Sequence, residues 1–597
     1  MKLLLCIGAA VLGTSALAAP APAAPRKAAH SSADARLKAL YDAYSLWDET
    51  ESGAIDNSRG EVESAGYLPH VDAASQLRRE AHIKRVLAQL NAIPAKQLSS
   101  AEQVNAAVFR TMLENQLIEY KFRTWEMPFN SDSSFWTYLD ADQPFDDSGG
   151  YQRYIARLRD IPRYFDEQIV NMRAGLTRGF SVPRATLNGR DKSVAAFIVD
   201  DPARSSFYKP FERMPSTIRA AEQEKLRADG RAAIEQSVMP AYRKLLAFIR
   251  DDYIPHTRTT ISAHDLPDGD AFYRAQVREY TTSDMPPEQI HQLGLQEVAR
   301  IDAEMQKTMR DSGFKGTMPQ FLQFLKTDPQ FYAKTPDELL GVSSYVAKRV
   351  DGVIGLHFGL LPRRRFGIIP VPDALAPFYT SGRGGLENCM MNTYDLPVRP
   401  LYSIPVLTLH ECEPGHSFQM ALAAEQKNLP KFRRNLYFSG MGEGWGLYSE
   451  WLGDELGIYR TPYEKFGQLS YDMWRAARLV IDTGIHQQGW SRQQAIDYLA
   501  GHTALTQHEV ETEVDRYISW PGQALAYKIG ELTILRLRKE AETTLGTKFD
   551  ERRFHDAILA LGSVPLNVLE ERMHAFIRQE AARKAPAAAE GRAPARP

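Results

Sequence analysis

Only three cysteines occur in 597 residues, too few for a disulfide framework to carry the fold. Acidic and basic residues nearly cancel, leaving a formal net charge of -2. That balance excludes the concentrated basic face of a nucleic-acid binder. Long apolar runs are missing beyond the N-terminus, so no second segment is a candidate for crossing a bilayer. No repeat with a period of roughly 20 to 50 residues is present, which excludes a solenoid. What remains is a chain long enough to bury a substantial core.

The N-terminus reads as an address. Lys2 supplies a positive charge, Leu3 to Leu17 an apolar core, and Ala16-Leu17-Ala18 a small-x-small cleavage site, predicting a signal peptide over 1–18 and export, with the periplasm as destination. About 15 apolar residues fall short of the roughly 20 a membrane helix needs. Cys6 lies too early for a lipoprotein cleavage site. The Ala/Pro-rich stretch 19–32 is expected to be a flexible leader and 584–597 a disordered tail. Cys389 and Cys412 then remain, and are read as buried free thiols, since nothing in the sequence brings their Cα atoms into bridging range.

Apolar residues at three- and four-residue intervals predict helices over 36–46, 82–90, 101–122, 151–178, 216–248 and 287–312. Residues 33–362 form an N-terminal helical region by this reading. Aromatic residues between Trp125 and Phe145 break the period and mark a connection, with core packing the more frequent role for such residues. A change comes near Arg363. Phe366 to Val371 is short, β-branched and bounded by prolines, and Gly384 to Asn392 follows a glycine turn; both are expected to be strands, in a region 363–583 that carries the chemistry.

That chemistry centres on His410-Glu411-Cys412-Glu413-Pro414-Gly415-His416. Two imidazoles, a carboxylate beside the first and a later glutamate are what a hydrolytic zinc site needs: three ligands, one open position and a base. The spacing is unusual. Six residues on an unbroken helix would turn His416 roughly 240° away from His410. Pro414 and Gly415 are expected to interrupt the helix and bring His416 back. Cys412, two residues from His410, points to another helix face and is not counted as a ligand. Downstream, Glu443 and Glu450 are seven apart and share one face; Glu443 is the expected third ligand, and Glu450 a candidate to support a histidine from behind.

The runs Asn392–Leu396, Leu407–His416, Glu443–Tyr448, Asp482–His486 and Asp515–Lys528 resemble the domain-of-unknown-function 885 family, over about 377–562. The resemblance implies a mainly α, large helical two-lobed zincin-like metallopeptidase fold, with a small β-sheet beside the active-site helix. It implies little about substrate. This chain carries Cys412-Glu413 where the family more usually has a small residue and a variable one. By analogy with helical zinc peptidases, Tyr517 and His486 are expected to stabilise the oxyanion, while Arg516, Tyr527, Asn392 and Tyr394 are assigned to substrate binding, with Arg516 suited to a substrate carboxylate. Zinc (Zn2+) held by His410, His416 and Glu443, with Glu411 as general base, gives a metallopeptidase acting on short peptides. Two other classes stay open: a periplasmic peptide-binding or scaffold protein without catalysis, and a zinc hydrolase of a non-peptide amide or ester.

Overall fold

The computed structural model describes residues 32–583 except 57–61, 132, 142, 374, 375, 377, 378 and 435. The expected signal peptide, all but the last residue of the leader, and the tail lie outside the described residues. Helix accounts for 70% of the chain and strand for 3%, so the chain is mainly α and its sheets are local fittings. No described helix is long and apolar enough to cross a membrane.

The periodic segments form helices, some near their expected limits and others longer: the one expected over 36–46 is Ala33–Ser52 and the one expected over 82–90 is Ala73–Asn91. Helix α1, Ser148–Arg178, begins where the Asp147 carboxylate accepts from the Gly150 N–H and ends at Gly179 in the left-handed region (φ 77°), the usual stop for a helix. The segment expected over 216–248 departs from regularity. It starts at Ala220, widens into π turns at Ile234–Val238 and Phe248–Tyr253, and ends at His256. Pro240 and Pro255 are the cause: each would clash with the carbonyl four residues earlier, and those carbonyls fall inside the widened turns. The aromatic connection is core, as its bland reading had it. Trp136 is fully buried and Phe129 nearly so.

One large core is built from residues within 68–253, another from residues spread over 104–577. The second surrounds the chemistry. Helix α2, Pro287–Asp311, lies along helix α6, Pro462–Gln488. From Phe466 to His486 every residue of α6 except Trp474 is buried, making it the central rod of this half. Between them in sequence come strands β1 (Gly367–Pro370), β2 (Gly382–Arg383) and β3 (Asn388–Met391), then helices α3 (Ile404–Glu411), α4 (His416–Glu425) and α5 (Ser439–Leu452). The sheet order is β1-β3-β2, with β1 parallel and β2 antiparallel to β3. The strand expected over 384–392 is thus confined to its second half, and β2 is an additional edge strand.

Helix α7, Gln507–Ser519, starts with a capping box between Thr506 and Glu509. It is followed by α8, Ala526–Leu545, which packs on α5. The two approach at glycines: a Cβ on Gly444 would lie 2.5 Å from Gly530 Cα, so any side chain there would force the helices apart. One expectation is overturned in this region. Cys389 of β3 and Cys412 at the end of α3 form a disulfide, with Cα atoms 5.5 Å apart. They are 23 residues apart in sequence, and only the return of the sheet onto α3 brings them together.

Candidate metal centre

Helix α3 presents His410 and Glu411 in its last turn and then stops. The Cys412 and Glu413 N–H groups both return to the Thr408 carbonyl, the Glu413–Pro414 peptide is cis, and α4 starts afresh at His416. Gly415 is packed against the Leu409 and His410 carbonyls where no side chain fits. The six-residue spacing is thereby resolved by two helices rather than one bulged helix. His416 becomes the first residue of α4, and the two imidazoles meet edge to face with centroids 4.8 Å apart.

Helix α5 supplies the carboxylates. Glu443, Gly446 and Glu450 share the face turned to α3, with Gly446 making the fit possible: a Cβ there would stand 2.6 Å from His410 Cε1. Glu443 Oε2 lies 3.6 Å from His410 Nε2 and 3.4 Å from His416 Nε2. Four atoms at zinc's usual bond lengths in a tetrahedron stand roughly 3.3 Å from one another. Two sides of the triangle therefore have the length expected of ligands around one ion, and the ligand atoms of all three residues lie within 4.8 Å of one another. Glu450 holds the other side of the first histidine, 2.7 Å from His410 Nδ1, fixing the tautomer so that Nε2 faces Glu443. Glu450 is itself 3.5 Å from the Arg475 guanidinium.

The electrostatics favour a dication. Burial works against a charged imidazolium at His410, yet hydrogen bonds to Glu443 and Glu450 outweigh it and push its pKa up to about 10. Glu443 is likewise held well below the usual carboxylate range: burial would raise it, and the two histidines more than reverse that. Glu411, Glu443 and Glu450 outnumber Arg475 by two, so one net negative charge remains among these groups even with a proton on His410. His410 is almost enclosed, whereas the side chains of His416 and Glu443 keep 14% and 15% of their exposure, so the site opens on their side. Glu411 Oε2 accepts from the Gly384 N–H at 2.6 Å, which ties the carboxylate to the loop leaving β2.

The other expected residues fall elsewhere. His486 is fully buried; its Nδ1 accepts from the Ala263 N–H and its Nε2 donates to the Tyr517 carbonyl, both at 2.9 Å. It has no N–H left for an oxyanion, and burial lowers its pKa to about 3. Tyr517 is also fully buried, its hydroxyl accepting from Trp474 Nε1 and Arg478 Nε, in a polar core rather than at the mouth of the site. Asn392 holds a turn and also lines a cavity beside α3. Its amide donates to the carbonyls of Ala376, Tyr379 and Thr380 and its Oδ1 accepts from the Tyr394 N–H, while the Tyr394 side chain is exposed. Arg516 donates to Gln523 and to the Tyr527 hydroxyl. Sequence reasoning missed Tyr437, whose hydroxyl donates to Glu443 Oε1 at 2.8 Å; it lies six residues before the Glu-Gly-Trp motif with no signal of its own. Trp445 of that motif donates to the Pro414 carbonyl, locking α5 to the turn.

A family model described as bacterial protein of unknown function (DUF885) matches residues 49–573. The chain belongs to the DUF885 family. Among solved structures, the chain is similar to a "putative lipoprotein" from Colwellia psychrerythraea, with TM-score 0.83 and 26% identity over 92% of this chain and 98% of that one. It is also similar to a "putative lipoprotein of unknown function" from Shewanella oneidensis, with TM-score 0.66 and 18% identity over 91% and 98%, which establishes likeness of fold. No curated protein matches the chain.

Proposed function

We propose that this DUF885 protein is an exported zinc-dependent hydrolase, a metallopeptidase of zincin-like, two-lobed build that cleaves short peptides. The observation that carries the reading is the triangle of His410 Nε2, His416 Nε2 and Glu443 Oε2, with Glu450 behind His410. Zinc, when bound there, supplies a Lewis acid that lowers the pKa of a water and polarises a carbonyl. Glu411 accepts a proton from the attacking water at the oxygen not held by Gly384, and delivers it to the leaving amine. Tyr437 takes the donor role that the sequence assigned to Tyr517 and His486: its phenol stands at the ligand carboxylate and can turn to the oxygen of the tetrahedral intermediate. The edge of β2, beside Glu411, offers main-chain groups to an extended peptide. Export rests on the signal-like residues 1–18 and fits the description of the solved relatives as lipoproteins.

The test is metal content together with turnover. Purified protein should hold about one zinc per chain, and His410→Ala, His416→Ala and Glu443→Ala should each lose most of it. A mixed peptide library should be hydrolysed, with chelator abolishing the activity. Glu411→Gln should keep zinc and fold while losing a factor of about 10² to 10⁴ in rate. Zinc binding with hydrolysis of esters or non-peptide amides alone would redirect the substrate class, and zinc binding without any turnover would leave a binding protein.

A further inference from the structure

Beside the candidate metal centre, and on the same face of α3, lies a cavity of about 260 Å³. Ile404 and Leu407 form part of its wall, and Ile404, Leu407 and Glu411 follow one another at three- and four-residue steps, hence on one stripe of the helix. Four residues of helix rise about 6 Å, against about 3.3 Å for one residue of an extended peptide. The cavity therefore begins about two substrate residues from Glu411. Strand β2 bridges the interval: Ser381 lines the cavity, and a Cβ on Gly382 would touch both Leu407 Cδ1 and Glu411 Cγ at 3.5 Å. Being the outer strand of its sheet, β2 leaves an edge along that path.

The walls are largely apolar, yet the charges among them do not cancel. Among the described residues, Lys326, Arg399 and Glu509 are the ionisable side chains there apart from tyrosines. Arg399 donates to Ser381 Oγ at 2.9 Å, and its nearest carboxylate, Glu509, is 3.9 Å away. Glu509 is already committed, its other oxygen accepting from the Thr506 N–H and hydroxyl. Lys326 makes no ion pair within 4 Å among the described residues, and desolvation lowers its pKa, with Glu509 only partly opposing. Two buried polar atoms on this wall have no hydrogen-bond partner among the described residues, Arg399 Nε and the hydroxyl of Ser470, a residue 8% exposed. A wall with two cations, one occupied carboxylate and unmatched polar atoms is short of one anion.

Resting on the reading of the neighbouring centre as a peptidase, we propose that this cavity is a substrate subsite for a carboxylate, held by Arg399 and Lys326 and set about two residues from the bond that is cleaved. The carboxylate comes either from the C-terminus of a short peptide or from a glutamate or aspartate side chain. Both sources present the same planar acceptor to the guanidinium.

Binding to the zinc-loaded Glu411→Gln protein separates the possibilities without requiring turnover. Six fluorescently labelled peptides are compared: an alanine tetrapeptide as the free acid, the same peptide as its C-terminal amide, and four amides carrying one glutamate at each position in turn. The expected result is at least tenfold tighter binding of the free acid, or of one glutamate-containing amide, than of the neutral amide. Which of the two gains identifies the source. Arg399→Met and, at a less enclosed position, Lys326→Met should each bring that ratio towards one, while Arg399→Lys retains part of it. Equal binding of acid and neutral peptides, no binding of any peptide, or a preference that survives both methionine variants would overturn the proposal. If the preference is present and yet the wild type hydrolyses none of these peptides, it is the peptidase reading that fails.

Discussion

At the scale of single residues, the candidate centre depends on what stands behind His410 as much as on its proposed ligands. Left alone in a protein interior, an imidazole is neutral, as His486 is. His410 is pushed the other way because two carboxylates face its two nitrogens at once. Glu450 holds Nδ1 and in turn leans on Arg475 while Nε2 faces Glu443, so the ring cannot rotate without breaking its contacts to both carboxylates. Glu450→Gln removes the charge and keeps the shape. We expect zinc affinity to fall about 10- to 100-fold in a chelator competition, with the three ligands intact and the fold unchanged. Unaltered affinity would show that Glu450 is only a packing residue.

At the scale of elements, the site is assembled where α3, α4, α5 and the small sheet converge, and the Cys389–Cys412 bridge is the covalent tie between sheet and helix end. Both sulfurs are fully buried, which makes the bridge a staple rather than a surface feature. It closes a loop of 23 residues, for which chain-entropy reasoning gives a stabilisation of about 3 kcal/mol. Replacing both cysteines with alanine should lower the unfolding free energy by that order in a urea titration. It should also weaken zinc binding, because Cys412 lies between Glu411 and the turn that positions His416. A double variant as stable as the wild type would place the constraint elsewhere, in the hydrogen bonds of Gly384 and Gly385 to Glu411 and Ser417.

For the whole molecule, buried histidines set a sensitivity to acid. His486 and His555 are buried and have pKa values lowered to about 3 and about 4, chiefly by desolvation. Below their unfolded value near 6.5 the unfolded chain takes up protons that the folded chain refuses. Their stabilisation is complete above pH 6.5 and declines as the pH falls towards 4 and 3, by about 2 kcal/mol each at pH 5. Asp482, raised by burial to about 7, acts in the opposite sense, costing stability as the pH rises from about 4 to 7. The wild-type curve is therefore a balance, and the variants resolve it. In urea unfolding between pH 5 and 8, His486→Gln and His555→Gln should each remove a share of the loss below pH 6.5, and Asp482→Asn should remove the loss that accrues as the pH rises from 5 to 7. A pH profile indifferent to all three substitutions would refute the account.

The helices were legible because burial of one face imposes a 3.6-residue period on the sequence, and α1, α2 and the Ser100–Phe122 helix lie within a few residues of their expected limits. The residues of the candidate metal centre stand out in the sequence for a related reason. His410, Glu411, His416 and Glu443 lie in two short motifs whose chemistry is local, and Pro414-Gly415 announces an interruption of the helix. What sequence alone could not specify were contacts between segments far apart along the chain. The disulfide, the Glu450 bond to His410, the Tyr437 bond to Glu443 and the enclosure of His486 and Tyr517 are decided by how β3, α3, α5 and α6 dock. Residue type states what a side chain can donate or accept; only packing determines whether that capacity is spent on a neighbour or left facing the site, and this is why a tyrosine without a motif stands at the centre while a motif tyrosine serves the core.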